Sequence, residues 1–179
     1  MNYQKFLLCL CLIAPESLLA KEPISVAGLN LFMTPDQIIS VAKKKQLRCY
    51  PTEGSGVNSG SRGYSCCKSG ICRGFNDGRG ISFRFKKGTK IVNQIDISCR
   101  VTNSCGMEIG DIARILIKKK IVEDLSYEVV PIIDVNLGRY RGKGPLGDEI
   151  TVNPNLHSAF LDSGITLRFS RKISRDTTF

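Results

Sequence analysis

Cysteine placement constrains this chain more than any other feature. Of 8 cysteines in 179 residues, Cys9 and Cys11 sit in an apolar leader, and the rest (Cys49, Cys66, Cys67, Cys72, Cys99 and Cys105) fall in the body of the chain. Met1 to Lys5 carry one positive charge, Phe6 to Ala14 form an apolar run (FLLCLCLIA), and a less hydrophobic stretch ends at Ala20. That is the layout of a secretory signal peptide, cut after Ala20 or after Ala14. The apolar run is about half the ~20 residues a membrane-crossing helix requires, and no later segment is long enough to span. Cys9 and Cys11 each follow a leucine, which argues against lipidation. The expected organisation is therefore a leader at 1–20 and one exported domain at 21–179, periplasmic or extracellular.

An even number of cysteines in an exported chain predicts disulfides. Six allow 15 pairings, and the sequence does not choose among them. The adjacent Cys66 and Cys67 are expected to bond to different partners, because a bridge between neighbours is strained. A zinc site built on Cys66, Cys67 and Cys72 is the competing reading, but the CC-x4-C spacing fits structural zinc poorly, so no metal is expected.

Charge is the second constraint. Lys and Arg number 26 against 16 Asp and Glu, a formal net charge of +10. Removing residues 1–20 takes away Lys5 and Glu16, so all of the excess travels with the exported protein. With 42% hydrophobic and 23% charged residues the composition is that of a globular domain, neither disordered nor membrane-spanning.

Local signals predict a mixed α+β fold. Ile24 to Phe32 reads as a short strand or extended arm. Thr34, Pro35 and Gln37 then combine a cap, a first-turn proline and a capping box, with Met33 placed to staple onto Ile38, so a helix is expected over 35–47. Residues 50–80 break every periodicity with Gly and Ser and read as a long loop stapled by its cysteines. Residues 81–85 and 90–98 alternate and predict a β-hairpin. A second helix is expected over 108–122, then a strand over 125–134 interrupted by Pro131, a second Gly-rich basic loop over 136–148, and strands at 149–152 and 165–169.

This order repeats: helix, long basic loop, strands. Aligning Met33 with Met107 superposes Ile38 on Ile112, and ISFRF (81–85) resembles ITLRF (165–169), at offsets of 74 and 84. Two repeats at 24–100 and 101–172 would place helices on one face of an antiparallel sheet.

The helix start at Gly28, Leu29, Leu31, Met33, Thr34, Pro35, Asp36 and Gln37 resembles that of the β-lactamase inhibitor protein family and of the small outer-membrane assembly lipoproteins. The resemblance covers about fifteen residues and otherwise element order. It implies tandem helix-plus-sheet units and a non-enzymatic, protein-binding scaffold in or outside the bacterial envelope. It carries no contact residue over to this chain.

Catalytic signatures are missing from the sequence. There is no G-x-S-x-G, H-E-x-x-H or phosphate-binding loop. His157 is the single histidine, and its neighbours Ser158 and Asp162 are too close in sequence to converge on one reacting atom. The acidic pairs Glu123/Asp124 and Asp148/Glu149 are the remaining candidates for a cell-wall hydrolase. No cofactor and no catalytic residue is expected. The functional signal is basic and aromatic: Arg62, Tyr64, Lys68, Arg73, Phe75 and Arg79 in the first loop, and Arg139, Tyr140, Arg141 and Lys143 in the second. Arginine and tyrosine are enriched in binding hot spots. They predict an inhibitor-like or assembly-like protein docking on an acidic protein or anionic envelope component, with non-specific binding of nucleic acid or anionic glycolipid as the alternative. The sequence leaves the oligomeric state open.

Overall fold

The computed structural model describes residues 22–53, 61–68, 80–86, 88–104, 106–132, 135–154 and 165–171. The leader, Cys72, Cys105, Arg73, Phe75, Arg79 and His157 lie outside them. The fold is mixed α+β with the sheet dominant. Its elements run α1 (Pro35–Lys44), β1 (Arg48–Glu53), β2 (Ser61–Cys67), β3 (Gly80–Lys86), β4 (Val92–Ser98), a single-turn α2 (Cys99–Thr102), α3 (Ile109–Lys118), β5 (Ser126–Ile132), β6 (Val135–Lys143), β7 (Glu149–Pro154) and β8 (Ile165–Ser170). The strands form one antiparallel sheet in the order β1-β2-β3-β4-β8-β7-β6-β5. Among the described residues no helix is long and apolar enough to cross a membrane.

Helix α1 starts where its signals place it. The Thr34 N–H donates to Gln37 Oε1 at 2.8 Å and the Gln37 N–H donates back to Thr34 Oγ1 at 3.3 Å, with Pro35 opening the first turn. It ends three residues earlier than the sequence predicts. Gln46 adopts φ 61°, and the Leu47 N–H turns back to the Ala42 carbonyl at 3.0 Å, a left-handed cap that stops the helix. Helix α3 ends the same way: Lys120 has φ 54° and the Ile121 N–H donates to the Leu116 carbonyl at 2.9 Å. Both helices have 10 residues, 74 positions apart throughout.

Register separates the sheet into two chemical faces. Cys49, Cys66, Ile81, Ile97, Leu167, Val152, Tyr140 and Tyr127 are successive cross-strand partners from one edge to the other. The parallel row through Tyr64, Phe83, Ile95, Phe169 and Ile150 has the same parity. The buried members of these rows form one cluster with Ile38 and Ala42 of α1 and Ile112, Ala113 and Leu116 of α3; Cys49, Tyr64 and Tyr140 pack against it, and Tyr127 is exposed at the edge. The intervening row is polar: Tyr50, Ser65, Ser82, Asp96, Arg168, Thr151, Arg141 and Ser126. It defines the second face, because successive strand side chains point to opposite sides.

Two expected loops are strands. Within 50–80, residues 61–67 form β2, whose Gly63 and Ser65 look like loop residues but are small, alternating members of the second face. Within 136–148, residues 135–143 form β6 and only 144–148 turn. Its glycines serve packing rather than turning. A Cβ on Gly138 would collide with the Tyr127 ring, and one on Gly142 would lie 2.6 Å from Leu125 Cδ2 and 2.8 Å from the Asp124 carbonyl oxygen. The β3–β4 hairpin and the strands at β7 and β8 match expectation, and β5 runs unbroken through Pro131, where the sequence predicts an interruption. The arm at 24–32 is a tight turn, closed by reciprocal Val26–Leu29 backbone bonds, with Ile24, Leu29 and Leu31 buried. Topology also corrects the strand alignment, since ISFRF is β3, third strand after its helix, whereas ITLRF is β8, the fourth.

Cys49 and Cys66, direct partners on β1 and β2, are joined by a disulfide. The bridge therefore avoids the Cys66–Cys67 neighbour, as expected. Cys67 and Cys99 each take part in a disulfide as well.

Candidate binding surface

The sequence-selected residues that are described do not share a surface. Arg62 and Tyr64 project from β2 on the same side as Cys66, the side of the apolar cluster. Tyr64 stacks on Phe83 with ring centroids 5.4 Å apart and adjoins Phe85 at 6.4 Å, so it closes the rim of the core. Tyr140 is likewise on the core side, half-buried, its ring centroid 5.1 Å from that of Tyr127. Lys68 is exposed just beyond β2. Arg139, Arg141 and Lys143 stand instead on the second face, at alternate positions of β6. Arg62 of β2 is thus on the opposite side of the sheet from Arg139, Arg141 and Lys143 of β6, and these two strands each lie one in from a different edge.

The second face gathers cations that the sequence reading passed over. Arg84 and Lys86 of β3, Arg168 of β8 and Arg48 of β1 join the three from β6. Against these seven, the described residues place three carboxylates on that face: Asp96, Glu128 and Glu149. Arg48, Lys86 and Lys143 are exposed.

The centre of the face is a braced ion pair. Asp96, 6% exposed, accepts from Arg168 Nε at 2.7 Å and Nη2 at 3.3 Å, and from Gln94 Nε2 at 2.7 Å. It lies where β4 meets β8. Burial lowers the pKa of neighbouring Arg84, opposed by Asp96 and reinforced by Arg168. A second cluster spans β5 to β7. Glu128 Oε2 accepts from Arg139 Nε at 2.9 Å and Nη2 at 2.8 Å, while its Oε1 meets Arg141 Nη1 at 3.4 Å. The Arg139 hydrogen bonds hold the Glu128 carboxyl below its ordinary value, aided by the charge of Arg141 and against partial desolvation.

No protein-family model, curated protein or solved structure matches the chain.

Three of the four paired acids hold structural contacts. Asp148 is 1% exposed and its Oδ2 accepts the Ile24 N–H at 2.6 Å, fastening the N-terminal turn to the β6–β7 connection. Glu149 lies on the second face beside Arg141, at 3.5 Å from Nε. Asp124 Oδ1 accepts its neighbour's Leu125 N–H at 2.7 Å. Cys66, bound to Cys49, offers no thiolate to a metal or a substrate. Among the described residues no group of three or more His, Cys, Asp or Glu side chains is placed to hold a metal ion.

Proposed function

We propose that this is an exported, disulfide-stapled binding protein that docks an acidic protein partner on the second face of its sheet. The observation carrying the proposal is the seven-to-three excess of cations on that face among the described residues. A cationic surface steers an acidic partner and raises its association rate, an effect that salt screens. The leader-like sequence at 1–20 and the use of cysteine in disulfides support export. Three of the four acidic residues nominated for hydrolysis, Asp124, Asp148 and Glu149, are engaged in structural hydrogen bonds or an ion pair, which favours binding over catalysis.

The proposal extends to origin. Two ten-residue helices with matching left-handed ends, each followed by four antiparallel strands, support an internal duplication with both helices on one sheet face. Such a pair of units is the arrangement implied by the resemblance to the β-lactamase inhibitor protein family. The duplicated halves have diverged where binding is assigned: β6 carries three cations on the second face and β2 carries Gly63 and Ser65.

Immobilised oxidised protein, exposed to envelope and secreted fractions beside an R48E/K86E/K143E variant, tests this reading. It predicts capture of a discrete acidic protein by the native form alone, with an association rate that falls as salt rises. Equal capture by both forms, or retention of nucleic acid or lipid instead of a protein, overturns it.

A further inference from the structure

The proposed docking face contains a row with a definite spacing. Arg139, Arg141 and Lys143 alternate along β6, so on the second face they form a line with steps of about 7 Å, twice the rise of a strand residue. The three cations are not equally engaged. Arg139 directs two donors at one Glu128 oxygen, at 2.9 and 2.8 Å. Arg141 has only long contacts, 3.4 Å to Glu128 and 3.5 Å to Glu149; its Nε is buried, but the side chain as a whole is 41% exposed. Lys143 is exposed opposite Glu149.

We infer that this line receives an extended acidic segment of the partner, with carboxylates at alternate residues meeting Arg141 and Lys143 while Glu128 holds Arg139 in place. The inference rests on the docking proposal above and specifies its occupant. An extended segment repeats its side chains at the same ~7 Å interval as β6, so alternate acids match the cations in register. Guanidinium groups bind carboxylates with short, directional bonds, and the long contacts of Arg141 leave that capacity open. The surface pairs already present contribute little to folding, so exchanging or adding a carboxylate disturbs the protein little.

Two synthetic peptides of identical composition test this, one with glutamates at alternate positions and one with the same glutamates in a block. Their affinities for the oxidised protein are read by fluorescence anisotropy at low salt. The alternating peptide is expected to bind more tightly than the block, and R141Q/K143Q is expected to weaken it at least about tenfold. K43Q/K44Q, which removes the same charge from the end of α1, is expected to leave it within about twofold, and thermal melts confirm that both variants fold. Equal weakening by the two variants, equal affinity for the two peptides, or no binding of either peptide overturns the inference. The wider docking proposal falls separately, through the envelope capture experiment, since a partner engaging Arg48, Lys86 and Lys143 with another shape would still be captured there.

Discussion

A single buried carboxylate fixes how the N-terminal turn sits on the molecule. Asp148 takes the Ile24 N–H at 2.6 Å within a fully buried setting, and Arg171 adds a favourable charge nearby. Removing that acceptor leaves a buried donor unpaired, which costs about 1–3 kcal/mol. Asp148→Ala is expected to lose that much stability in urea denaturation, and an unchanged midpoint would show the contact to be dispensable. Glu128 differs, being partly solvated, so its contribution is read through pH. Its folded pKa lies below the ordinary 4.5, mainly through the Arg139 hydrogen bonds. The stability it adds is present above the unfolded value and disappears as pH falls through the folded one. Wild type and Glu128→Gln are therefore expected to differ in melting temperature at pH 7 and to converge in strong acid. A difference that persists there would assign the effect to packing instead.

At the scale of elements, the helix ends carry the clearest prediction. Gln46 and Lys120 hold the left-handed conformation in which a side chain is disfavoured. Gln46→Gly and Lys120→Gly are each expected to stabilise by up to about 1 kcal/mol, whereas Lys43→Gly, inside α1, is expected to destabilise by a similar amount. The matching effect at positions 74 apart would also mark the two helices as equivalent. Elements whose signals are local were legible in the sequence: the Thr34–Gln37 start of α1 and the β3–β4 hairpin needed only neighbours to be read. Strands β2 and β6 were not: the β6 glycines are imposed by packing across strands, and Gly63 and Ser65 of β2 read as loop residues until β1 and β3 pair on either side. Gly138 is bare because Tyr127 lies over it, a contact invisible until β5 and β6 are paired. The site was half legible for the same reason. Charge picked out Arg139, Arg141 and Lys143, but the parity that puts Arg62 on the opposite face depends on strand register. Arg84 and Arg168 alternate with apolar residues in the sequence, and only strand pairing sets Asp96 opposite Arg168 and next to the Arg84–Gln94 pair.

Across the whole molecule, the strand order makes the β4–β8 contact the joint between the two helix-plus-four-strand halves. Its core side pairs Ile95 with Phe169 and Ile97 with Leu167, all buried, and its second face pairs Asp96 with Arg168. The apolar cluster runs through this joint without interruption, so the halves have no separate cores to fall back on. Heat is therefore expected to unfold the oxidised protein in one transition, as small domains with a continuous core do. The chain has no tryptophan, so a Trp at Tyr64 and, separately, one at Tyr127 give reporters in the two halves. Coincident transitions are expected for both. The joint's polar side then sets how strongly the halves are coupled. Asp96 is buried but Arg168 is 40% exposed, so their coupling in a D96A/R168A double-mutant cycle is expected near 1–2 kcal/mol, below that of a fully buried pair. If D96A instead splits the transition, so that the Tyr64 and Tyr127 reporters melt apart, the ion pair rather than the apolar seam makes the two halves one cooperative unit.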